Sequence, residues 1–294
     1  MEKLNLNNMN IKFLSTIIKG SSETTREAFI QWFIGFTEGN GCFHVGENVS
    51  FEILQDQEIL NYIKEQLGLG QVYKQNSSGQ VTYRYIVSDP QEIAEIIDLF
   101  NGKVQLSKKQ AQFYGFVGAY NVKYNKNIII KPHEDLTGLD KAWLSGFIDS
   151  EGCFTVSIIK HSAQRKNAQI QVRFVISQKD ATQTLSKLAG YLGGTVTKVN
   201  SKGYISENMC VNLTNLSHII EYLKTHTLKT KKQKSLEVWL QIYELVISKK
   251  HLDNTEVVDQ IRVLIPLINP DFKKRVFEPK NQYTSKKSSE INTN

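Results

Sequence analysis

Apolar residues along the chain alternate between helical and strand periodicity, and they do so twice in the same order. A helical stretch ends at a glycine, Gly41 or Gly152, and a strand begins at once. A second strand with period-two alternation follows, VSFEILQ in one half and AQIQVRFVIS in the other. A helix, two further strands and another helix complete each half, and a longer helix comes after it. The pattern predicts an α+β protein of two αββαββα units, each with a four-stranded, mostly antiparallel sheet covered by helices on one face.

The two halves are copies of each other. Residues 31–45 over residues 142–156 read QWFIGFTEGNGCFHV above AWLSGFIDSEGCFTV, with seven identities in fifteen positions at an offset of 111. FEILQ matches FVISQ and SKKQ matches TKKQ, both at an offset of 123. The 12 additional residues fall in the polar stretch HSAQRKNAQ, where a hairpin loop tolerates insertion. One offset that holds from residue 51 to residue 110 indicates that both copies share a fold.

Domain boundaries follow from this duplication. We expect an N-terminal extension over 1–25, a first repeat over 26–120, a polar linker over 121–138 and a second repeat over 139–270. Residues 271–294 are basic with almost no apolar periodicity, so we expect a disordered tail there.

The distribution of charge favours a polyanionic partner. The net charge of +7 and the pI near 9.1 are weak indications, because many soluble proteins are this basic. Residues 152–178 hold four basic side chains and no acidic one, and residues 224–234 hold five lysines and no acid. A solvated surface usually mixes both signs, so these stretches predict a surface that faces nucleic-acid phosphates.

Composition excludes other classes. Hydrophobic residues make up 40% and charged residues 22%, as in a globular protein. No run approaches the roughly 18 consecutive apolar residues of a membrane span, and the first 20 residues make a poor signal peptide. The three cysteines, Cys42, Cys153 and Cys210, are too few and too scattered for a disulfide framework or a zinc site. A reducing compartment is expected.

FIGFTEGNG and LSGFIDSEG resemble the two LAGLIDADG motifs of a single-chain homing endonuclease. The continuation GCF plus a strand, the two copies and the linker extend the resemblance over nearly the whole chain. It implies saddle-shaped sheets, an intron-encoded nuclease acting on double-stranded DNA, and a divalent cation, usually Mg²⁺. In the family the two motif helices form the interface between the repeats, so Gly35 and Gly146 are expected to let them approach closely.

The resemblance places the metal at position eight of each motif, which is Asn40 in the first and Glu151 in the second. Gly39 and Ser150, the preceding residues, complete the candidate metal ligands. Mg²⁺ prefers oxygen ligands and keeps several waters, so one or two carboxylates plus phosphate oxygens suffice. The dipole at a helix C-terminus disfavours a lone carboxylate, and a bound cation removes that penalty.

Asn40 departs from the family pattern because its amide lacks the charge that recruits a dication. Asn is nearly isosteric with Asp, so we expect the fold to survive and one side of the active site to be impaired. Three explanations stay open: an engineered Asp→Asn change, natural decay, or a site that still nicks one strand. The isosteric change in an otherwise intact motif favours the first.

Position six of the motifs is Glu38 and Asp149. We expect the carboxylates of these two residues to contact backbone groups near the turn and not to bind the metal.

Further catalytic candidates follow from the duplication. Gln55 and Gln178 end the second strand of each copy, where the family often has a polar group that orders active-site water. Lys109 and Lys232 lie in equivalent basic turns, where a lysine near the scissile phosphate is expected. Their neighbours Lys108 and Lys231, or a solvated helix start, remain alternatives.

Strand alternation predicts the DNA-facing side chains. Phe43, Val45, Phe154 and Val156 should point into the core, leaving the other face to enter the major groove. The residues predicted on that other face are His44, Ser50, Glu52, Tyr73, Gln75, Tyr83 and Tyr85 in the first repeat and Thr155, Ser157, Gln169, Gln171, Arg173 and Thr197 in the second. Arg165 and Lys166, in the hairpin loop, should hold phosphate.

The two faces differ in charge, which predicts an asymmetric DNA site read by one monomer. An RNA maturase that helps its host intron to splice is the alternative, since some relatives do both and relaxed selection would lose a catalytic carboxylate. A DNA-binding regulator without chemistry is the third interpretation. The many Asn, Ile and Lys residues suit an AT-rich organelle genome, a mitochondrion or chloroplast.

Overall fold

A computed structural model describes residues 26–77, 80–159, 169–201, 204–252 and 254–270. The predicted N-terminal extension, the predicted tail and the loop residues Arg165 and Lys166 lie outside these ranges. The elements of the first repeat are α1 (Arg26–Asn40), β1 (Gly41–Val45), β2 (Val49–Gln55), α2 (Gln57–Leu67), β3 (Gln71–Ser77), β4 (Gln80–Val87), α3 (Pro90–Phe100) and α4 (Ser107–Tyr124). Those of the second are α5 (Trp143–Glu151), β5 (Gly152–Ile159), β6 (Gln169–Gln178), α6 (Thr182–Leu192), β7 (Thr195–Ser201), β8 (Tyr204–Asn212), a 3₁₀ turn (Leu213–Asn215), α7 (Leu216–Thr225), α8 (Lys232–Ile247) and α9 (Thr255–Ile268).

Each repeat contains one antiparallel sheet of four strands. The strand orders are β1-β2-β4-β3 and β5-β6-β8-β7, so the topology is the same in both. The hairpin registers also correspond, with Gly41 opposite Ile53 and Gly152 opposite Ile176. Helices pack on one face of each sheet, where Phe51 and Phe174 are fully buried. The predicted α+β fold is confirmed.

The motif helices α1 and α5 pack against each other at the centre of the molecule. In α1 every residue from Phe29 to Glu38 is buried, because the sheet core lies on one side and α5 on the other. Gly35 and Gly146 lie at the contact. A Cβ on Gly35 would overlap the carbonyl oxygen of Trp143, and one on Gly146 would overlap that of Trp32. The two backbones therefore touch at the positions that have no side chain.

Two elements differ from the sequence-based expectation. Helix α4 continues to Tyr124, so the connection without helix or strand runs over 125–142 and not from residue 121. Although polar, this connection packs on the first repeat: Leu136 is buried and its N–H donates to Gln105 Oε1 at 3.1 Å. Helix α9 was not predicted. It buries Ile261 and Ile268 and contains Pro266. Within the described ranges, no helix is long and apolar enough to cross a membrane.

Candidate functional site

The position-eight residues lie at the ends of the central helix pair. Asn40 is the last residue of α1 and Glu151 the last of α5. The two ends meet: a Cβ on Gly39 would lie 2.7 Å from Glu151 Oε1 and would overlap the Ser150 side chain. Since β1 and β5 begin at the next residues, the uncovered faces of both sheets start on either side of this point.

Two lysines approach the same point, one from each repeat. Lys109 Nζ donates to Gly41 O at 2.7 Å, and Lys232 Nζ donates to Ser150 O at 2.9 Å and to Ile148 O at 3.0 Å. Burial raises the pKa of Glu151, and Lys232 and Lys109 both act to lower it. The pKa of each lysine is lowered, mainly by burial. One carboxylate therefore lies in the field of two partly buried cations.

The side chains at position eight fit a hard divalent cation in atom type but not fully in charge. Carboxylate and amide oxygens are the ligand types that Mg²⁺ takes. The Asn40 Nδ2 atom is buried and has no hydrogen-bond partner in the described part of the chain, and a half-turn of the amide would put Oδ1 there. Because the amide of Asn40 is neutral, Glu151 supplies the only negative charge at the two positions. Among the described residues no three His, Cys, Asp or Glu side chains group as a metal site. The carbonyl oxygen of Ser150, one of the candidate metal ligands, accepts a hydrogen bond from Lys232 Nζ.

The position-six acids bind backbone near the turns, as their interpretation predicted. Glu38 accepts from Gln105 N at 2.9 Å and from Leu106 N at 2.6 Å. Asp149 accepts from Lys229 N at 2.8 Å and from Thr230 N at 3.2 Å.

Each acid has one further partner that sequence reasoning missed. The indole of Trp143 donates to Glu38 Oε1 at 2.8 Å, and that of Trp32 donates to Asp149 Oδ2 at 2.8 Å. Burial raises the pKa of Glu38 to about 7 against these hydrogen bonds, and it raises that of Asp149. The carboxylate of each repeat thus takes a hydrogen bond from the tryptophan of the other.

Gln55 and Gln178 end their strands at the edge near position eight. Each lies two residues beyond the strand position opposite Gly41 or Gly152. Their Oε1 atoms accept from the next backbone N–H, at 3.4 Å for Gln55 and 3.1 Å for Gln178. Their catalytic role stays a prediction.

Strand pairing decides which side chains lie on the uncovered faces. Eleven predicted residues are on them: His44, Ser50, Glu52, Tyr73, Gln75, Thr155, Ser157, Gln169, Gln171, Arg173 and Thr197. Tyr73 is 52% exposed, whereas Ser50 is buried and donates to Glu52 Oε1 at 3.0 Å. The placement allows DNA contact, which stays a prediction.

The predicted orientation is wrong for Tyr83 and Tyr85, and the predicted burial is wrong for Val45. Tyr73 pairs with Arg84, so in β4 the even-numbered residues share its face and Tyr83 and Tyr85 lie on the helix-covered side. Tyr85 is fully buried, and its hydroxyl donates to Leu69 O at 2.9 Å. Val45 is on the core side by register but is 50% exposed, and it is the last residue of β1 before the hairpin turn.

The same pairing adds residues that the sequence reasoning missed. On the first sheet they include Cys42, Leu54, Gln71, Thr82 and Arg84, and on the second Cys153, Thr195, Asn208, Cys210 and Asn212. Arg84 pairs with Glu52 at 3.2 Å. The period-two alternation of β4 and β8 is visible in the sequence. Only the strand register shows which of the two alternating sets of residues lies on the uncovered face.

Similarity to known proteins agrees with this geometry. The family model for LAGLIDADG endonucleases matches residues 33–120 and 144–243. A probable intron-encoded endonuclease 4 of Neurospora crassa is 40% identical over 257 residues, which cover 82% of this chain and 46% of that protein. The chain thus spans about half the length of that relative. The intron-encoded RNA maturase bI4 of Saccharomyces cerevisiae is 30% identical over 129 residues, 42% of this chain and 19% of that protein.

Solved structures share the fold. The LAGLIDADG homing endonuclease I-LtrWI bound to target DNA superimposes with a TM-score of 0.70 at 21% identity, and the match covers 82% of this chain and 98% of that one.

Proposed function

The chain belongs to the LAGLIDADG endonuclease family, and from this premise we propose that it binds a long, asymmetric double-stranded DNA site and hydrolyses phosphodiester bonds within it. We propose further that it acts as an intron-encoded homing endonuclease. The observation that carries the proposal is the convergence of Asn40, Glu151, Lys109 and Lys232 at the ends of the central helices.

The uncovered sheet faces support recognition of duplex DNA. The major groove admits β-ribbons, and Gln and Arg make bidentate contacts to adenine and guanine edges. Gln169, Gln171 and Arg173 form one row on the second sheet, and Arg173 Nε has no hydrogen-bond partner among the described residues. The first sheet pairs its Arg84 with Glu52 instead. Because the faces differ, the site would be non-palindromic and one monomer would read it.

Nucleases of this family generally depend on divalent metal ions, and we propose that Glu151 with Asn40 holds one here, Mg²⁺ by preference. When bound, such an ion activates water and stabilises the leaving oxygen. Lys109 and Lys232 hold positive charge beside the position where a scissile phosphate would lie, which stabilises the charge that develops there. With a neutral amide in place of one carboxylate, the first half of the site should act slowly, so nicking should exceed double-strand cleavage.

A second function is favoured by the similarity to the maturase bI4, which extends over 42% of this chain. Splicing assistance needs RNA binding but no second carboxylate, so Asn40 would not impair that function. An organelle location fits both functions, because the Neurospora crassa endonuclease and the maturase bI4 both carry intron-encoded names.

A binding competition separates the two functions. The chain is titrated, with Ca²⁺ in place of Mg²⁺ to limit cleavage, against the duplex of the intronless junction of its host gene, a scrambled duplex of equal length and the folded intron RNA. The endonuclease proposal expects the junction duplex to bind at least about a thousandfold more tightly than the scrambled one. Preference for the intron RNA over both duplexes would establish the maturase function instead.

A further inference from the structure

We propose that the tryptophan of each motif helix positions the lysine of the other repeat, through the position-six carboxylate between them. Trp143 would position Lys109 by way of Glu38, and Trp32 would position Lys232 by way of Asp149. The inference deepens the proposed function and rests on it for its catalytic consequence. We call Asn40 with Lys109 the first half-site and Glu151 with Lys232 the second.

The first link is the pair of hydrogen bonds that cross between the repeats. Trp143 Nε1 and Trp32 Nε1 each lie 2.8 Å from a carboxylate oxygen 105 or 117 positions away in the sequence. All four side chains are buried, with Glu38 1% and Asp149 3% exposed. Water cannot replace the indole donor without entering the core. The contacts are reciprocal, so neither repeat is complete without the other.

The second link runs from each carboxylate to the start of a helix. Glu38 takes the N–H groups of Gln105 and Leu106, directly before α4. Asp149 takes those of Lys229 and Thr230, which are separated from α8 by Lys231, and also the Thr230 hydroxyl at 2.5 Å. These donors lie in the turn that leads into each helix, so the carboxylate holds the backbone of that turn in place.

The third link is the lysine at that helix start. Lys109 is the third residue of α4 and Lys232 the first of α8. Both extend back to carbonyl oxygens at the end of a motif helix, within 2.7–3.0 Å. A long side chain keeps such a contact only if its Cα is held in place. A shift of about 1 Å at a reacting group can lower the rate a hundredfold.

The Trp143 indole supplies one of three hydrogen bonds that the Glu38 carboxylate accepts. Glu38 Oε1 is shared by Gln105 N and the Trp143 indole, while Oε2 holds Leu106 N. Without the indole, the carboxylate loses its hydrogen bond to the other repeat and is held by the two backbone donors alone. In the second repeat the Lys229 ammonium lies 5.8 Å from the Trp32 ring centre, which links this tryptophan to the turn a second time.

A merely structural role predicts a different result from a positioning role. If the tryptophans only fill the core, Trp143→Phe and Trp32→Phe lower stability and slow both DNA strands alike. If they position lysines, each variant slows one strand. The strand that depends on each half-site is found independently from Lys109→Met and Lys232→Met.

The experiment measures strand-resolved nicking of a doubly end-labelled junction duplex at saturating protein and Mg²⁺, in an Asn40→Asp background. Trp143→Phe should slow the strand that Lys109→Met slows, by roughly tenfold, and leave the other within about twofold. Trp32→Phe should have the opposite effect and slow the strand that Lys232→Met slows. The Kd for the duplex in Ca²⁺ should not change. Trp239→Phe is the control, because its indole donates to the backbone oxygen Thr155 O and not to a position-six carboxylate.

A second measurement tests the coupling without cleavage. Pulse acetylation of the free chain, read by mass spectrometry, reports how accessible each lysine is. Trp143→Phe should raise labelling of Lys109 several-fold and not that of Lys232, and Trp32→Phe should do the opposite. Equal effects on both lysines, or none, would overturn the inference. If the Asn40→Asp chain fails to cut, the proposed function is wrong, and the labelling still decides the coupling.

Discussion

Replacing Gly146 by alanine should separate the two motif helices. The added Cβ would overlap Trp32 O and lie 2.8 Å from Phe36 N, whereas ordinary contacts begin at 3.4 Å. Both neighbours are backbone atoms of a buried helix, so no side-chain rotation relieves the overlap. The helices must move apart by at least about half an ångström, and a gap of that size forfeits about a quarter or more of the dispersion attraction along the contact.

The expected cost follows from that movement. Overpacking in a core usually costs about 1–3 kcal/mol, and a clash against backbone belongs at the upper end, so we expect a loss of about 3 kcal/mol in the free energy of unfolding. Gly118→Ala is the matched control. It lies within helix α4 and a Cβ there meets nothing within 4 Å. Since alanine is the better helix former, this variant should gain about 0.5–1 kcal/mol.

The assay is urea unfolding followed by the fluorescence of the buried tryptophans. The two variants should shift the midpoint in opposite directions with unchanged slope. Gly146→Ala should also slow cleavage of both strands, because the helix ends that carry Asn40 and Glu151 move with the helices. The reasoning is refuted if Gly146→Ala is as stable as Gly118→Ala, since the backbones would then not be in contact.

Three further outcomes follow from the placement of single side chains. Folding raises the pKa of Glu38 from 4.5 to about 7, so its contribution favours the folded state below pH 4.5 and is lost as the pH rises towards 7. In EDTA, the unfolding free energy of the unaltered chain should therefore fall by about 2–3 kcal/mol relative to Glu38→Gln between pH 5 and pH 8, and parallel curves would contradict this. Tyr85→Phe should cost about 1–2 kcal/mol of stability, because Leu69 O loses its partner, and should leave the Kd for DNA unchanged. Gln171→Ala should instead weaken DNA binding by about 1–3 kcal/mol with no change in unfolding, and a reversed pair of results would restore the discarded orientation of Tyr85.

Much of the fold could be predicted because the sequence contains the same pattern of helices and strands twice. The constant offset aligned SKKQ with TKKQ and so identified Lys109 and Lys232 as equivalent, and the structure places both at the ends of the motif helices. The position-six acids were predicted to bind backbone because they lie at a helix end, and local reasoning was enough for that. Helix α9 has no counterpart in the first repeat, so the duplication could not indicate it.

The errors arise where a contact depends on tertiary register. Tyr73 and Tyr85 both suit a strand, and only the pairing of Tyr73 with Arg84 shows that they lie on opposite faces. The bonds from Trp32 to Asp149 and from Trp143 to Glu38 join residues more than a hundred positions apart. No periodicity encodes such a contact. The identity of Trp32 and Trp143 in the aligned motifs was visible, but their reciprocal pairing follows only from the packing of α1 on α5.

The central claim is that Asn40 and Glu151 form one metal-dependent cleavage site that the amide impairs. Supercoiled plasmid carrying the intronless junction of the host gene is incubated in Mg²⁺ with the unaltered chain and with Asn40→Asp. The account predicts linear product from Asn40→Asp and nicked or uncut plasmid from the unaltered chain. If neither cuts although both bind the junction tightly, position eight does not limit cleavage and the assigned site is wrong.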